Sequence, residues 1–377
     1  MKICILTTGH NALDDRIFYK QALSLKEISD DITIIAPDLK ESYEVDGIKI
    51  IGVTKPESLL DRFRIMDELI DKAIEQKADI YHFHDYELIL KTLKIKKKLP
   101  KAKIIYDVHE HYPDMVRMSK KLPKAIKPFV ALAVDLVEKM KTKKFDYIIT
   151  ADDAVKERLE KLNKNIEVIY NFSDFKVKKE DKVEKNYDVI YQGGITIERG
   201  VFELVKAVEI VKNSYKKDVS MVFVGPISDK EVEEKVLPYI EAHNLQENVK
   251  FLGKVPHVEV EGYIRKSKIG AVTLLPYPKY FKNIPIKQFE YMSCGVPVIG
   301  SDLPPIKKFV SKYNAGLIVN PQDVEDIAKA IMKLLDNDEL RNEMGSNGML
   351  AVEKEYNWSQ MHGRLINIYK SIANKTN

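Results

Sequence analysis

Cysteine is nearly absent: the chain has two, Cys4 and Cys294, too few for a disulfide framework, and no Cys/His spacing of the zinc type occurs. Both lie in apolar contexts and are expected as buried free thiols. There is one tryptophan, Trp358, at a break before the last helical pattern, where a packing anchor is expected. No apolar run has the length of a membrane span, and the opening Met1 to Thr7 is too short for a signal peptide, so a cytoplasmic chain is expected. No G-x-G-x-x-G follows the first strand pattern, where Gly9 stands alone, which argues against a nicotinamide dehydrogenase. No sequence repeat with a period of roughly 20 to 50 residues is visible, so the two halves of the chain share architecture only.

What is present is an ordinary apolar fraction, 45% in 377 residues with a formal net charge of +4, enough for two domains with separate cores. Strand patterns at Lys2 to Thr7, Ile32 to Ala36, Ile80 to Phe83, Lys103 to Val108, Tyr147 to Ala151 and Val168 to Tyr170 alternate with helical patterns. Such alternation predicts a mostly parallel sheet covered on both faces. Residues 173–186 are charged and lack apolar periodicity, as an interdomain linker would. The alternation restarts at Tyr187 and runs to Val319, followed by three helical patterns. The expected organisation is a Rossmann-like domain over 1–172, a linker over 173–186, a second Rossmann-like domain over 187–358 and a closing helix over 359–377.

The chemistry is concentrated at strand ends. From Ile284 to Asp302 the chain reads as a short helix opened near Pro285 and stopped at Gly295, then a buried strand. Lys287 and Glu290, three apart, share a helix face, either as a solvated ion pair or as ligand contacts. Gly193 and Gly194 end a strand and lead to Arg199 and a helix. That is a plain turn, or a phosphate cradle in which glycine amides, the helix N-terminus and a bidentate guanidinium meet an anion. His82 and His84 fall on one face of a strand and Phe83 on the other, and Asp107 and His109 share a face at the end of the next. Histidines there serve in capping and packing or face a cleft. Asp14, Asp15 and Arg16 open the first helix, where capping by the aspartates is the alternative to a site role.

Taken in order, P-x-K-x-x-E-Y-M-x-x-G-x-P-V-I-x-S-D at Pro285 to Asp302, the Gly193-Gly194 turn with Arg199, and H-x-H-D at His82 to Asp85 resemble the retaining glycosyltransferases of family 4, or group 1, with the GT-B fold. The resemblance covers nearly the whole chain. It implies an α/β fold of two doubly wound Rossmann-like domains facing a cleft, closed by a C-terminal helix that crosses back. It implies donor binding by Gly193, Gly194, Arg199, Lys287 and Glu290, with Glu290 on the ribose hydroxyls. The acceptor side would hold Gly9, Arg16, His82, His84, His109 and Glu110, with His84 beside the reacting sugar. His84, Arg199 and Glu290 are thus the expected catalytic residues. One departure stands out: Lys282 occupies the place of the family's usual first glutamate, which bears on sugar-ring recognition.

The implied reaction moves a sugar from a nucleotide-diphosphate sugar to a sugar or lipid-linked hydroxyl with retention, in cell-surface polysaccharide or glycolipid synthesis. The departing diphosphate would be stabilised by Arg199 and the glycine amides, and the donor phosphate would help take the acceptor proton. No cofactor, metal or nucleic acid is expected. The string Asp336-Asn337-Asp338 matches D-x-D but sits where one helix stops and the next is capped. Two other readings remain: a sugar-nucleotide epimerase on the same fold, and a catalytically silent nucleotide-sugar-binding subunit. Between Lys91 and Lys144 stand 16 Lys and Arg against 5 Asp and Glu. The segment is either a set of solvated lysine faces or a surface for peripheral contact with an anionic membrane.

Overall fold

The computed structural model describes residues 1–119, 121–173, 175–177, 183–214 and 218–374, the side chains of Leu59 and His257 excepted. The chain forms two compact units, Met1–Asn171 with Trp358–Asn377, and Phe172–Asn357. The stretch 173–186, expected as a linker, falls in the second unit; its residues 174 and 178–182 lie outside the described ones. Lys185 within it donates to the carbonyls of Arg265 and Ser267 at 2.7 and 2.9 Å.

In the first unit the strands are β1 Lys2–Leu6, β2 Asp31–Pro37, β3 Ser42–Val45, β4 Ile48–Val53, β5 Ile80–Phe83, β6 Lys103–Val108, β7 Tyr147–Thr150 and β8 Ile166–Val168. They form one sheet in the order β3-β4-β2-β1-β5-β6-β7-β8. Every pairing is parallel except β3 with β4. Central strands such as β1 are apolar at successive positions because helices cover both faces. The antiparallel edge hairpin turns on Asp46 and Gly47, with φ of 50° and 75°. Those are the left-handed conformations that a two-residue hairpin turn matching the strand twist requires. The helix Trp358–Asn374 belongs to this unit, where Trp358 Nε1 donates to Ser24 Oγ at 2.9 Å.

The second unit has β9 Tyr187–Gln192, β10 Met221–Val224, β11 Val249–Phe251, β12 Ser267–Val272, β13 Val298–Ser301 and β14 Gly316–Val319, all parallel, in the order β11-β10-β9-β12-β13-β14. Helix Val201–Ser214 buries Val201, Leu204, Val205, Val208 and Val211, an i, i+3, i+4, i+7 stripe, in a core shared with Ile327 and Ile331 of helix Val324–Leu335. In both sheets the strand order reverses beside the first strand, between β1 and β5 and between β9 and β12. A crevice opens at such switch points, outside the carboxyl ends of the strands.

The helix Lys287–Ser293 is only two turns long and has no side-chain cap, so packing must hold it. Phe289 supplies that packing, edge-to-face on Phe172 at 4.8 Å and on Phe309 at 5.0 Å, with Tyr356 at 5.5 Å. Both thiols are free and buried, and burial pushes that of Cys294 up to about 12. Phe289→Ala is expected to destabilise the protein by about 3–5 kcal/mol, read from urea midpoints, with Phe289→Leu milder. An unchanged midpoint for the alanine variant would show that the aromatic cluster does not hold this helix.

Candidate active site

In the second unit, the residues expected to bind a donor meet at the β9–β12 switch point. Gly193 leaves β9 with φ of 106°, a conformation that favours glycine, and its N–H donates to Val224 O at 2.8 Å. A methyl group on Gly193 would lie 3.4 Å from Lys287 Nζ and 3.6 Å from Arg199 Nη1, and one on Gly194 3.4 Å from Arg199 Nη1. Two cations from segments nearly ninety residues apart therefore converge on one glycine turn. The helix expected to open near Glu198 begins at Val201, after a tight turn over Ile197–Arg199 that aims the guanidinium back at Gly194 O, 3.3 Å away.

Lys287 is buried, and its Nζ has no hydrogen-bond partner among the described residues; it lies 3.7 Å above the centre of the Tyr191 ring. Burial first, and then the charge of Arg199, hold its pKa well below the usual lysine range, against the pull of Glu290. A buried lysine amine beside a guanidinium at a half-buried glycine turn is a site that gains from an incoming anion. Glu290, one helical turn on, accepts a hydrogen bond from Gln192 Nε2, and Gln192 N donates to Tyr291 OH at 3.0 Å. The strand end and the helix are thus tied together. Glu198 accepts from Tyr280 Oη at 2.8 Å and from Lys279 Nζ, fixing the turn Pro278–Phe281 that ends at Lys282.

The first unit gathers its polar residues at the β1–β5 switch point. Asp107, fully buried at the end of β6, is the hub. Arg16 Nε and Nη2 reach its two oxygens at 3.2 and 3.1 Å, and Gln21 Nε2 donates at 2.6 Å. Arg16 Nη1 donates to Ile169 O at 2.9 Å, so this guanidinium, expected on the acceptor side, is committed to the interior. Burial alone would raise the Asp107 pKa, but Arg16 above all, then His109, hold its carboxyl well below the usual range. His82, His84 and His109 lie 3.6, 3.7 and 3.7 Å from its oxygens.

The histidines differ in access. His82 is enclosed, with Nδ1 2.8 Å from Tyr369 Oη of the last helix. His84 is also enclosed, its Nδ1 2.9 Å from His109 Nε2, and burial followed by repulsion from His82 keeps its pKa well below the imidazole norm. His109, with 15% of its side chain exposed, is the member that reaches the surface, and Glu110 follows it on the loop. Asp85 Oδ2 accepts from Thr7 Oγ1 and from the N–H groups of Thr8 and Gly9, at 2.5, 2.9 and 3.1 Å, so the loop bearing Gly9 is clamped to the His84 strand end. Asp14 caps the helical turn after it, accepting from Arg16 N and Ile17 N at 2.9 and 3.0 Å.

His82, His84 and Asp107 have the spacing of metal ligands. Yet Asp107 is already neutralised by a guanidinium in two-point contact, and a dication there would meet that fixed charge. At the D-x-D string, Asn337 caps helix Asp338–Lys354 by accepting from Leu340 N at 2.9 Å. The residues that the sequence left unassigned are Asp107, Gln192 and Tyr191. Asp107 shares the alternation that picked out His109, and the other two immediately precede the glycine turn.

Two parallel α/β units, each with a polar cluster at its switch point, define the GT-B class. Anabaena HepE, solved in complex with UDP and glucose, has the same fold with a TM-score of 0.73 over 98% of this chain and all of that one, at 15% identity. The chain belongs to the glycosyltransferases of group 1 and family 4: the model for "Glycosyl transferases group 1" matches residues 172–350 and that for "Glycosyltransferase Family 4" residues 18–176. An O-antigen chain mannosyltransferase B of Escherichia coli is 31% identical over 32% of this chain and 30% of its own length. An uncharacterized glycosyltransferase of Methanocaldococcus jannaschii is 22% identical over 81% of this chain and 87% of its own.

Two titrating groups give opposite signs. Lys287 has a folded pKa below the unfolded value of about 10.4, so it opposes folding most at low pH and ceases to do so above that value. Lys287→Met is expected to raise the ligand-free melting temperature at pH 7 while weakening nucleoside-diphosphate binding about 10- to 100-fold. A lower melting temperature with retained affinity would contradict this. Asp107 has its folded pKa depressed, so its contribution is full above about pH 4 and lost as pH falls through the folded value. Asp107→Asn leaves Arg16 buried without its counter-charge and is expected to cost about 3–5 kcal/mol at pH 7, a gap in urea stability that closes in acid. Equal stability at pH 7 would remove Asp107 as the hub.

Proposed function

We propose that this chain transfers a sugar from a nucleotide-diphosphate sugar to a hydroxyl of a sugar or lipid-linked acceptor, with retention of anomeric configuration and without a metal, in polysaccharide or glycolipid synthesis. The observation that carries the reading is the convergence of Lys287 Nζ and Arg199 Nη1 on the Gly193 turn. In this reading the diphosphate lies on the Gly193 turn, where the Gly194 amide, Arg199 and Lys287 stabilise its charge as the bond from the anomeric carbon to the phosphate oxygen breaks. An acceptor oxygen bonds to that carbon and its proton passes to a phosphate oxygen of the leaving diphosphate. The incoming anion also restores the ammonium charge that burial disfavours on Lys287. Glu290 takes the ribose hydroxyls, exchanging its bond from Gln192. His109, backed by His84 and oriented through Asp107, faces the acceptor with Gly9 and Glu110.

Family membership supports the transfer reaction, and the UDP in HepE supports a nucleotide donor by analogy of fold. The test is a thermal-shift screen with UDP, GDP, ADP, CMP and dTDP sugars on the natural chain and on Arg199→Ala and Glu290→Ala. Stabilisation by one nucleotide family, lost in both variants, is expected. Folded protein that responds to none of them would count against the donor site. Transfer activity is expected to persist in excess chelator; activity lost there and restored by manganese or magnesium would overturn metal independence.

A further inference from the structure

The helix Lys127–Thr142 is inside out. The side it turns to the first unit carries its acids: Glu138, fully buried, accepts from Tyr106 Oη at 2.9 Å and from Arg158 Nη2, and Asp135 accepts from Arg158 Nη1 at 2.8 Å and pairs with Lys139. The side it turns to solvent is apolar. Phe129, Leu132, Leu136 and Met140 are 73%, 55%, 50% and 59% exposed, and their spacing of three, four and four residues puts them on one face. The stripe is about 16 Å long, with Ile126 continuing it at the amino end. A surface helix of a water-soluble domain has the opposite polarity, and a contiguous exposed apolar stripe marks a surface that meets something.

The charges around the stripe identify what it meets. Exposed Lys124 precedes it and exposed Lys143 and Lys144 follow it, while the segment's acids, Asp135 and Glu138, are paired on the inner side. A rim of one sign is complementary to an anionic surface. It is not complementary to itself, and a two-fold dimer through this face would set lysines against lysines. Among the described residues no helix is long and apolar enough to cross a membrane. An apolar face with lysines at both ends is what lies in the headgroup layer without crossing.

We infer that helix Lys127–Thr142 docks the protein on an anionic bilayer, inserting Phe129, Leu132, Leu136 and Met140 among the acyl chains while the flanking lysines meet lipid phosphates. This deepens the acceptor side of the proposed function, where a lipid-linked acceptor would be met at the membrane, and rests on that reading only for its purpose. Vesicle binding is read without nucleotide sugar, so its failure and that of the donor site are separate results.

The experiment is flotation of the full chain with phosphatidylcholine vesicles, with and without about 30 mol% phosphatidylglycerol, at roughly 0.05 and 0.5 M salt. The expected result is several-fold greater recovery on the anionic vesicles, reduced at high salt. Phe129→Ser/Leu136→Ser is expected to abolish recovery with an unchanged melting temperature, and Lys143→Glu/Lys144→Glu to lower it at low salt. Equal recovery on both vesicle types, no recovery on either, or serine variants that float like the natural chain would overturn the proposal. So would a concentration-dependent dimer in sedimentation velocity, absent in the serine variant and unaccompanied by vesicle binding, which would make the face a self-association surface.

Discussion

An ammonium group held out of water beside a guanidinium is the constraint on which the second unit's site depends. Burial and the charge of Arg199 both disfavour the charged form of Lys287, and among the described residues its Nζ has no hydrogen-bond partner to offset the desolvation. The short helix that carries it is therefore not held by Lys287. The aromatic packing of Phe289, the Tyr291 bond to the backbone of Gln192, and the Tyr191 ring beneath the ammonium hold it instead. Packing and hydrogen bonds of the neighbouring residues thus offset the electrostatic cost of placing Lys287 beside Arg199.

The first unit resolves the same problem differently. There the buried charge is compensated internally, Asp107 against Arg16, and burial lowers the pKa of His82 and of His84 beside it. A neutral imidazole is both donor and acceptor, so the hydrogen bond between His84 Nδ1 and His109 Nε2 couples the tautomer of the enclosed ring to the ring that reaches the surface. One unit leaves two basic groups side by side at a glycine turn, and the other pairs its buried charge within the unit.

Much of this was legible in the sequence because parallel sheets write themselves as apolar runs at regular intervals. Ile80 to Phe83 and Lys103 to Val108 are strands over those same residues. The edge hairpin of β3 and β4 was not read, although Asp46-Gly47 is a strong hairpin signal, because its strands alternate polar and apolar residues instead of forming solid runs. At the site, Arg199, Lys287 and the glycine pair could be named from motifs. What motifs could not convey is reach: that Arg16 spends its donors on Asp107 and Ile169, or that His109 stands in front of His84. Those follow from which side chains are long enough to cross between strand ends, a property of the packed sheet. The polarity of helix Lys127–Thr142 was hidden for a related reason, since a helical period gives two faces and does not say which is inside.

The aromatic cluster behind the site helix has a further consequence. Phe172 is the first residue of the second unit and Tyr356 the last but one, and their rings are 5.6 Å apart. The chain thus enters and leaves this unit through the same few side chains, and the two ends are fastened by the unit's own core. Such a unit is topologically an insert, a continuous cassette whose ends stay together wherever they are spliced. That is the arrangement under which one half of a two-part enzyme can be exchanged for a relative's in a single recombination event while the other half keeps its fold.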